Sequence, residues 1–155
     1  MGETVNEQIR IAHRYQSGII KKEICGGEEM HTVGRIDLAM YEKITSDITT
    51  DEVIITEERI EHSNLHDRAF DRYGVYIPDI LRAPDLIFED KNPNTAILIK
   101  QVEEDGKNAQ LVLRLHVSSD HPEHKNSIIS FWIISEGRRK NYERNKRIVY
   151  IKKEV

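Results

Sequence analysis

Thr95–Val117 reads TAILIKQVEEDGKNAQLVLRLHV, and this stretch decides the class of fold. Two apolar runs, Thr95–Val102 and Gln110–Val117, flank the charged insert Glu104-Asp105-Gly106-Lys107-Asn108. Runs of that length and composition around a short glycine-containing turn form an antiparallel hairpin. In the second run Leu111, Leu113, Leu115 and Val117 alternate with Val112, Arg114 and His116, so one face is apolar and the other partly polar. The pattern extends to either side: Leu86-Ile87-Phe88 precedes the hairpin across Asn92-Pro93-Asn94, and Ser127–Ser135 and Arg147–Lys152 follow it. The segments between them, residues 118–126 and 136–146, read as polar turns.

Upstream of Pro84 the period is helical. Asp37 suits an N-cap, and Leu38, Tyr41, Ile44 and Ile48 form a stripe that predicts a helix over 35–48. Val53-Ile54-Ile55 is extended, and Thr56 then caps a second helix with Glu57 and Glu58 in its first turn, running to Asp67 or Phe70. Gly74 interrupts, and Val75–Arg82 predicts a third, short helix that closes before Pro84. Farther upstream Val5, Ile9, Ala12 and Tyr15 have helical spacing, Ile19, Ile20 and Ile24 suit a strand, and Gly26-Gly27 marks a turn. Helices followed by a meander of strands predict an α+β domain, with N-terminal helices packed on one face of a four- to five-stranded antiparallel sheet. Residues 31–155 form that domain and residues 1–30 an N-terminal extension.

The 155 residues are 38% hydrophobic and 32% charged, which fits one polar domain large enough to form a core without disulfides. Cys25 is the single cysteine, so an internal disulfide and a multi-cysteine zinc site are excluded. No run of 18 apolar residues occurs, and MGETVNEQIR lacks the apolar core of a signal peptide; the expectation is a cytoplasmic protein with no membrane partner. The net charge of −4 averages two unlike halves. Residues 1–90 hold 10 Lys/Arg against 19 Asp/Glu, and residues 91–155 hold 13 against 8. Arg138, Arg139, Lys140, Arg144, Lys146, Arg147, Lys152 and Lys153 cluster near the end with Glu143 as the one acid among them. Such asymmetry fits a polyanion partner, or a solvated surface whose two halves balance.

Several side chains suit chemistry. His62 and His66 are four apart on the second helix and share a face, which serves acid–base work, a zinc site or an ordinary surface. Ser63 follows the first histidine, so the metalloprotease HExxH pattern is not met. Lys100 ends an apolar run and Arg114 lies mid-strand; each faces solvent, a partner charge or a phosphate in a groove. Ideal alternation puts Ile128, Ser130, Trp132 and Ile134 on one face of their strand and Ser127, Ile129, Phe131 and Ile133 on the other. Ser130 could then donate to a phosphate beside a Trp132 ring that stacks a base, although a lone tryptophan is more often a core residue than a stacking platform. His121-Pro122-Glu123-His124 has only loose metal-like spacing, and Walker, GxGxxG and GxSxG motifs are absent.

The order of four segments adds to this: VGRID at 33–37, ITEERIEH at 55–62, LRAPDLI at 81–87 and KNSIISFW at 125–132. In that order the chain, over roughly residues 31–153, resembles the phage-associated barnase–EndoU–colicin–RelE-like nuclease domains. The resemblance implies their α+β fold and a metal-independent ribonuclease activity with no cofactor. His62 matches the histidine that ends the family's ERI-x-H motif and His66 the one four residues later. The implied catalytic set is His62 and His66 as acid and base, with Lys100, Arg114 and Ser130 at the phosphate. Asn126, Ser127, Trp132, Arg138, Arg139 and Lys140 would bind RNA. The implied partners are RNA, whether tRNA or another cellular RNA, and an immunity protein or a phage head component. A non-catalytic RNA- or protein-binding module of the same fold, and a metal-dependent hydrolase built on His62 and His66, are the rival readings.

Overall fold

The computed structural model describes residues 21–25 and 28–153, and among these described residues fourteen short elements follow one another. Strands β1 (Lys21–Cys25) and β2 (Glu28–Arg35) lead through a 3-10 turn (Leu38–Tyr41) to β3 (Glu52–Thr56). Helices α1 (Glu57–Asn64) and α2 (Ala69–Tyr73), a second 3-10 turn (Gly74–Tyr76) and α3 (Ile77–Arg82) follow. The remainder is β4 (Leu86–Glu89), β5 (Thr95–Gln101), β6 (Asn108–Arg114), β7 (Asn126–Ile134), α4 (Glu136–Asn145) and β8 (Ile148–Ile151). The class is α+β, as expected. The helix expected over 5–15 and the turn at Gly26-Gly27 lie outside the described residues, and the boundary expected at residue 30 falls within β2. Among the described residues no helix is long and apolar enough to cross a membrane.

Among the described residues the sheet has eight strands in the order β1-β2-β3-β7-β6-β5-β4-β8, not four or five. The central meander β4 to β7 is antiparallel and matches the hairpin reading, with Leu98 opposite both Ile87 and Leu111. The larger count comes from β1, where Ile24 suited a strand outside the expected domain, from β2, hidden by its polar composition and Gly34, and from β3 joining the same sheet. That junction is parallel and brief: Val53 pairs with Asn126 and Ile54 with Ser127. Asn126 is wholly buried and secures it. Its amide nitrogen donates to the Thr50 carbonyl at 2.7 Å and the Glu52 carbonyl at 3.0 Å, and its oxygen accepts from the His116 N–H at 2.8 Å. Farther along β7, the buried Ser63 hydroxyl of α1 donates to the Phe131 carbonyl. Helix α1 therefore lies along the flank of β7 that β3 leaves uncovered.

Helices occupy both faces rather than one. The first core packs Ile60, Phe70, Ile77, Ile80 and Leu81 of α1–α3 against Ile55, Leu98, Leu111, Ile128 and Phe131. The second, on the opposite face, joins Leu86, Phe88, Ile97, Ile99 and Ile134 to Tyr142 of α4. The strand alternation expected for β7 changes at a bulge. Val112 pairs with Ser130 and Leu113 with Ile128, so Ile129 is an extra residue. Ile128 consequently shares the α1 face with Phe131, instead of sharing the other face with Trp132.

The helical layer is more broken than its apolar stripe predicts. Asp37 caps as expected, accepting from the Ala39 N–H at 3.1 Å, yet only Leu38–Tyr41 coil, as a 3-10 turn. Thr45 accepts from the Asp47 N–H at 3.1 Å, a local bond that competes with helix continuation. Thr56 caps α1 by accepting from the Arg59 N–H at 3.2 Å. That helix stops at Asn64, because Asp67 and Arg68 take φ of +52° and +54° and turn the chain into α2.

Candidate active site

Thr56 fixes where α1 begins, and so fixes the rotation at which His62 emerges; His66, expected on the same helix, lies in the turn past Asn64, with its N–H on the Ser63 carbonyl at 3.2 Å. Both are exposed, with ring centroids 5.9 Å apart. The Trp132 ring lies 6.3 Å from that of His62 and 4.6 Å from that of His66. By register Trp132 faces α4, since it pairs with Gln110, whose amide oxygen accepts from the Tyr142 hydroxyl at 2.8 Å. It reaches the histidines because that flank of β7 is bordered by α1 instead of a strand. The two histidines and the tryptophan named from sequence thus meet in space although about 70 residues separate them in the chain.

Beside this aromatic group opens a cleft of about 470 Å³. The junction of α1 and α2 supplies His66, Asp67 and Arg72, the β5–β6 turn supplies Lys107, β7 supplies Trp132 and Ile133, and the first turn of α4 supplies Arg138. Three cations and one carboxylate line it, next to an imidazole. The turn bearing Lys107 is tied to the helices. Tyr73 donates to the Asp105 carboxylate at 2.7 Å, and the same carboxylate accepts from the Lys107 N–H at 3.0 Å. The Tyr73 bond is the main reason that Asp105 is held below the usual carboxylate range, and it raises Tyr73 in turn. Tyr76 is pushed up to about 12, chiefly by its hydrogen bond to Glu104 of the same turn. Gly106 takes φ of +70°, a left-handed conformation suited to glycine, and so lets the turn close.

Other residues named from sequence lie elsewhere. Lys100 donates to the Ala83 carbonyl at 2.7 Å and sits 3.9 Å from Asp85, bracing β5 against the end of α3. Arg114 pairs with Asp120 at 3.0 Å. Its register partner is Ser127, while Gln110 opposes Trp132, so Arg114 sits four residues farther along β6. At about 3.3 Å per residue that is roughly 13 Å from the aromatic group. Ser127 stands at that distant end, and Asn126 is the buried brace of the parallel junction. Ser130 is 8% exposed on the α4 face. Arg139 donates to Asn108 at 2.8 Å and Lys140 is exposed on α4, which itself was read as a turn. His116 is buried, bonded to Thr49 and to the His121 carbonyl.

Arg72, Lys107, Asp67 and Tyr73 were missed because tertiary packing alone brings them to the cleft. Among the described residues the one set of three that could hold a metal ion is Glu29, His31 and Glu57, with donor atoms within 4.8 Å of one another. It lies at the opposite end of α1 from His62 and His66, and His31 Nε2 is already 2.7 Å from Glu57 Oε2.

A family model described as phage-Barnase-EndoU-ColicinE5/D-RelE like nuclease 2 (PBECR2) matches residues 28–151. No curated protein and no solved structure matches the chain.

Proposed function

The chain belongs to the phage-Barnase-EndoU-ColicinE5/D-RelE like nuclease 2 family, and from that premise we propose that it is an endoribonuclease working at the cleft beside His66. One observation carries the reading: His66 lies 4.6 Å from the Trp132 ring at the mouth of a cleft lined by Arg72, Lys107 and Arg138. An imidazole that can take or give a proton, an aromatic plane for a base and a ring of cations are what an RNA phosphodiester needs. RNA supplies its own nucleophile. One histidine takes the proton from the 2′-hydroxyl, the 2′-oxygen attacks phosphorus, and the bond to the 5′-oxygen breaks. The second histidine gives its proton to that leaving oxygen. The products are a 2′,3′-cyclic phosphate and a 5′-hydroxyl. Ring centroids 5.9 Å apart set His62 and His66 side by side, so that one phosphoryl group laid across both ring edges would be in reach of both. Arg138, Arg72 and Lys107 face the charge that builds on the non-bridging oxygens.

Purified chain incubated with single-stranded RNA, with and without EDTA, tests this. Cleavage is expected in both conditions, ending in 2′,3′-cyclic phosphate. His66→Ala and His62→Ala should each lose about 10²–10⁴-fold in rate. Their melting temperatures should stay near that of wild type, since both side chains are exposed. Undiminished cleavage by His66→Ala would overturn the assignment, and loss of cleavage in EDTA would favour the metal-dependent alternative.

A further inference from the structure

We propose that Asp67 selects the base next to the scissile phosphate and that this base is guanine; the inference deepens the ribonuclease reading and rests on it. Asp67 is the one carboxylate among the described residues that line the cleft. It stands with Arg72, Lys107 and Arg138, where a negative charge repels the phosphate those cations attract. Among the described residues no hydrogen bond or ion pair engages its carboxylate. A site that bound only the RNA backbone would be better without it.

Its backbone is unusual as well. Asp67 and Arg68 hold φ of +52° and +54°, a conformation that L side chains rarely adopt, and this pair turns α1 into α2. Aspartate and asparagine both tolerate that conformation, so the fold requires a short polar residue there but not a negative one. The charge is therefore left free to act on what enters the cleft.

A carboxylate offers two acceptor oxygens side by side and no donor. Guanine presents two adjacent donors on its Watson–Crick edge, N1–H and the 2-amino group, and so meets both oxygens at once. Adenine and cytosine each set an amino donor beside a ring-nitrogen lone pair, and uracil sets its N3–H between two carbonyls. Each of those three aims a lone pair at the carboxylate. Base edges read in this way belong to unpaired RNA, and a cleft of about 470 Å³ takes a single nucleotide-sized ligand.

The test has two arms. In the first, oligodeoxynucleotides with one ribonucleotide (G, A, C or U) confine cleavage to that position. Wild type should show kcat/KM at least about tenfold higher at G. Asp67→Asn, which keeps the size and the backbone tolerance, should cut that advantage below about threefold while cleavage at A, C and U holds or rises. In the second arm Trp132, the only tryptophan, reports titrations with GMP, AMP, CMP and UMP. The dissociation constant should be lowest for GMP in wild type, with no preference in Asp67→Asn. A wild type without guanine preference, or an Asp67→Asn chain that retains it, overturns the inference. Intact GMP preference in a chain that cuts none of the four substrates would support base selection and overturn the ribonuclease reading alone.

Discussion

Asn126 gives all of its side-chain amide to three backbone groups around the β3–β7 junction and is wholly buried there. Asn126→Ala leaves one donor and two acceptors without partners in a dry site, and should cost about 2–4 kcal/mol in chemical denaturation. A loss below about 0.5 kcal/mol would show that the junction is held by packing instead. The same residue marks the limit of sequence reading. An asparagine where a polar loop meets a strand has one hydrogen-bonding capacity, whether an RNA or the protein's own backbone uses it. Lys100 and Arg114 carry the same ambiguity, and both turn out to be engaged inside the fold, on Ala83 and Asp85 and on Asp120. His62 and His66 were readable because their relation is local: His62 stands in the last turn of α1 and His66 two residues past its end, so the short chain between them keeps the rings close without the single helix the spacing predicted.

Elements were legible where apolar period and length agreed, as in β4 to β7 and in α1 with its Thr56 cap. They failed where polar contacts hold an element in place. Helix α4 has no buried residue, and its charge density reads as a solvated turn. It docks through Tyr142, whose ring lies 5.9 Å from Phe88 and whose hydroxyl meets Gln110, and through Glu136 and Arg139 on Asn108. The buried Asn108 and Gln110 of β6 were the available clue, since buried amides need partners. The β6–β7 connection is likewise held by polar bonds. Asp47 accepts from the Ser118 hydroxyl at 2.6 Å and from its N–H at 3.1 Å, and Asp120 accepts from the Val117 N–H at 3.0 Å. Those bonds lower both carboxyls, that of Asp47 through Ser118 and that of Asp120 chiefly through Val117. A depressed folded pKa stabilises above the ordinary carboxylate range, and the gain is lost as pH falls through the folded value. Melting temperature should therefore drop as pH is lowered below about 4. By scanning calorimetry the Asp47→Asn/Asp120→Asn chain should melt lower at pH 7 and fall less steeply across the acid window. Parallel pH profiles would remove these two groups from the acid response.

At the scale of the whole molecule, the charge division read from the sequence acquires a geometry. The acidic half contributes α1 with His62 and the α1–α2 turn with His66, the basic half contributes Lys107 and α4, and the cleft forms where the two meet. Lys140 and Arg144 lie on α4 beyond the cleft, where they suit flanking phosphates. Lys140→Ala/Arg144→Ala should reduce the slope of log kcat/KM against log salt by about 1.4, at about 0.7 per cation on a single strand, with kcat unchanged. An unaltered slope would place the RNA elsewhere. The brief parallel junction of β3 with β7 has a further consequence, for the order of assembly. Residues 86–134 close through neighbouring hairpins, whereas β3 must find β7 across some 70 residues of chain, and such long closures come late. A chain emerging from the ribosome carries both histidines long before it has Trp132 or Arg138. It has no cleft until residue 138 is free and α1 has settled on β7, so both histidines are made well before the surface that encloses them exists.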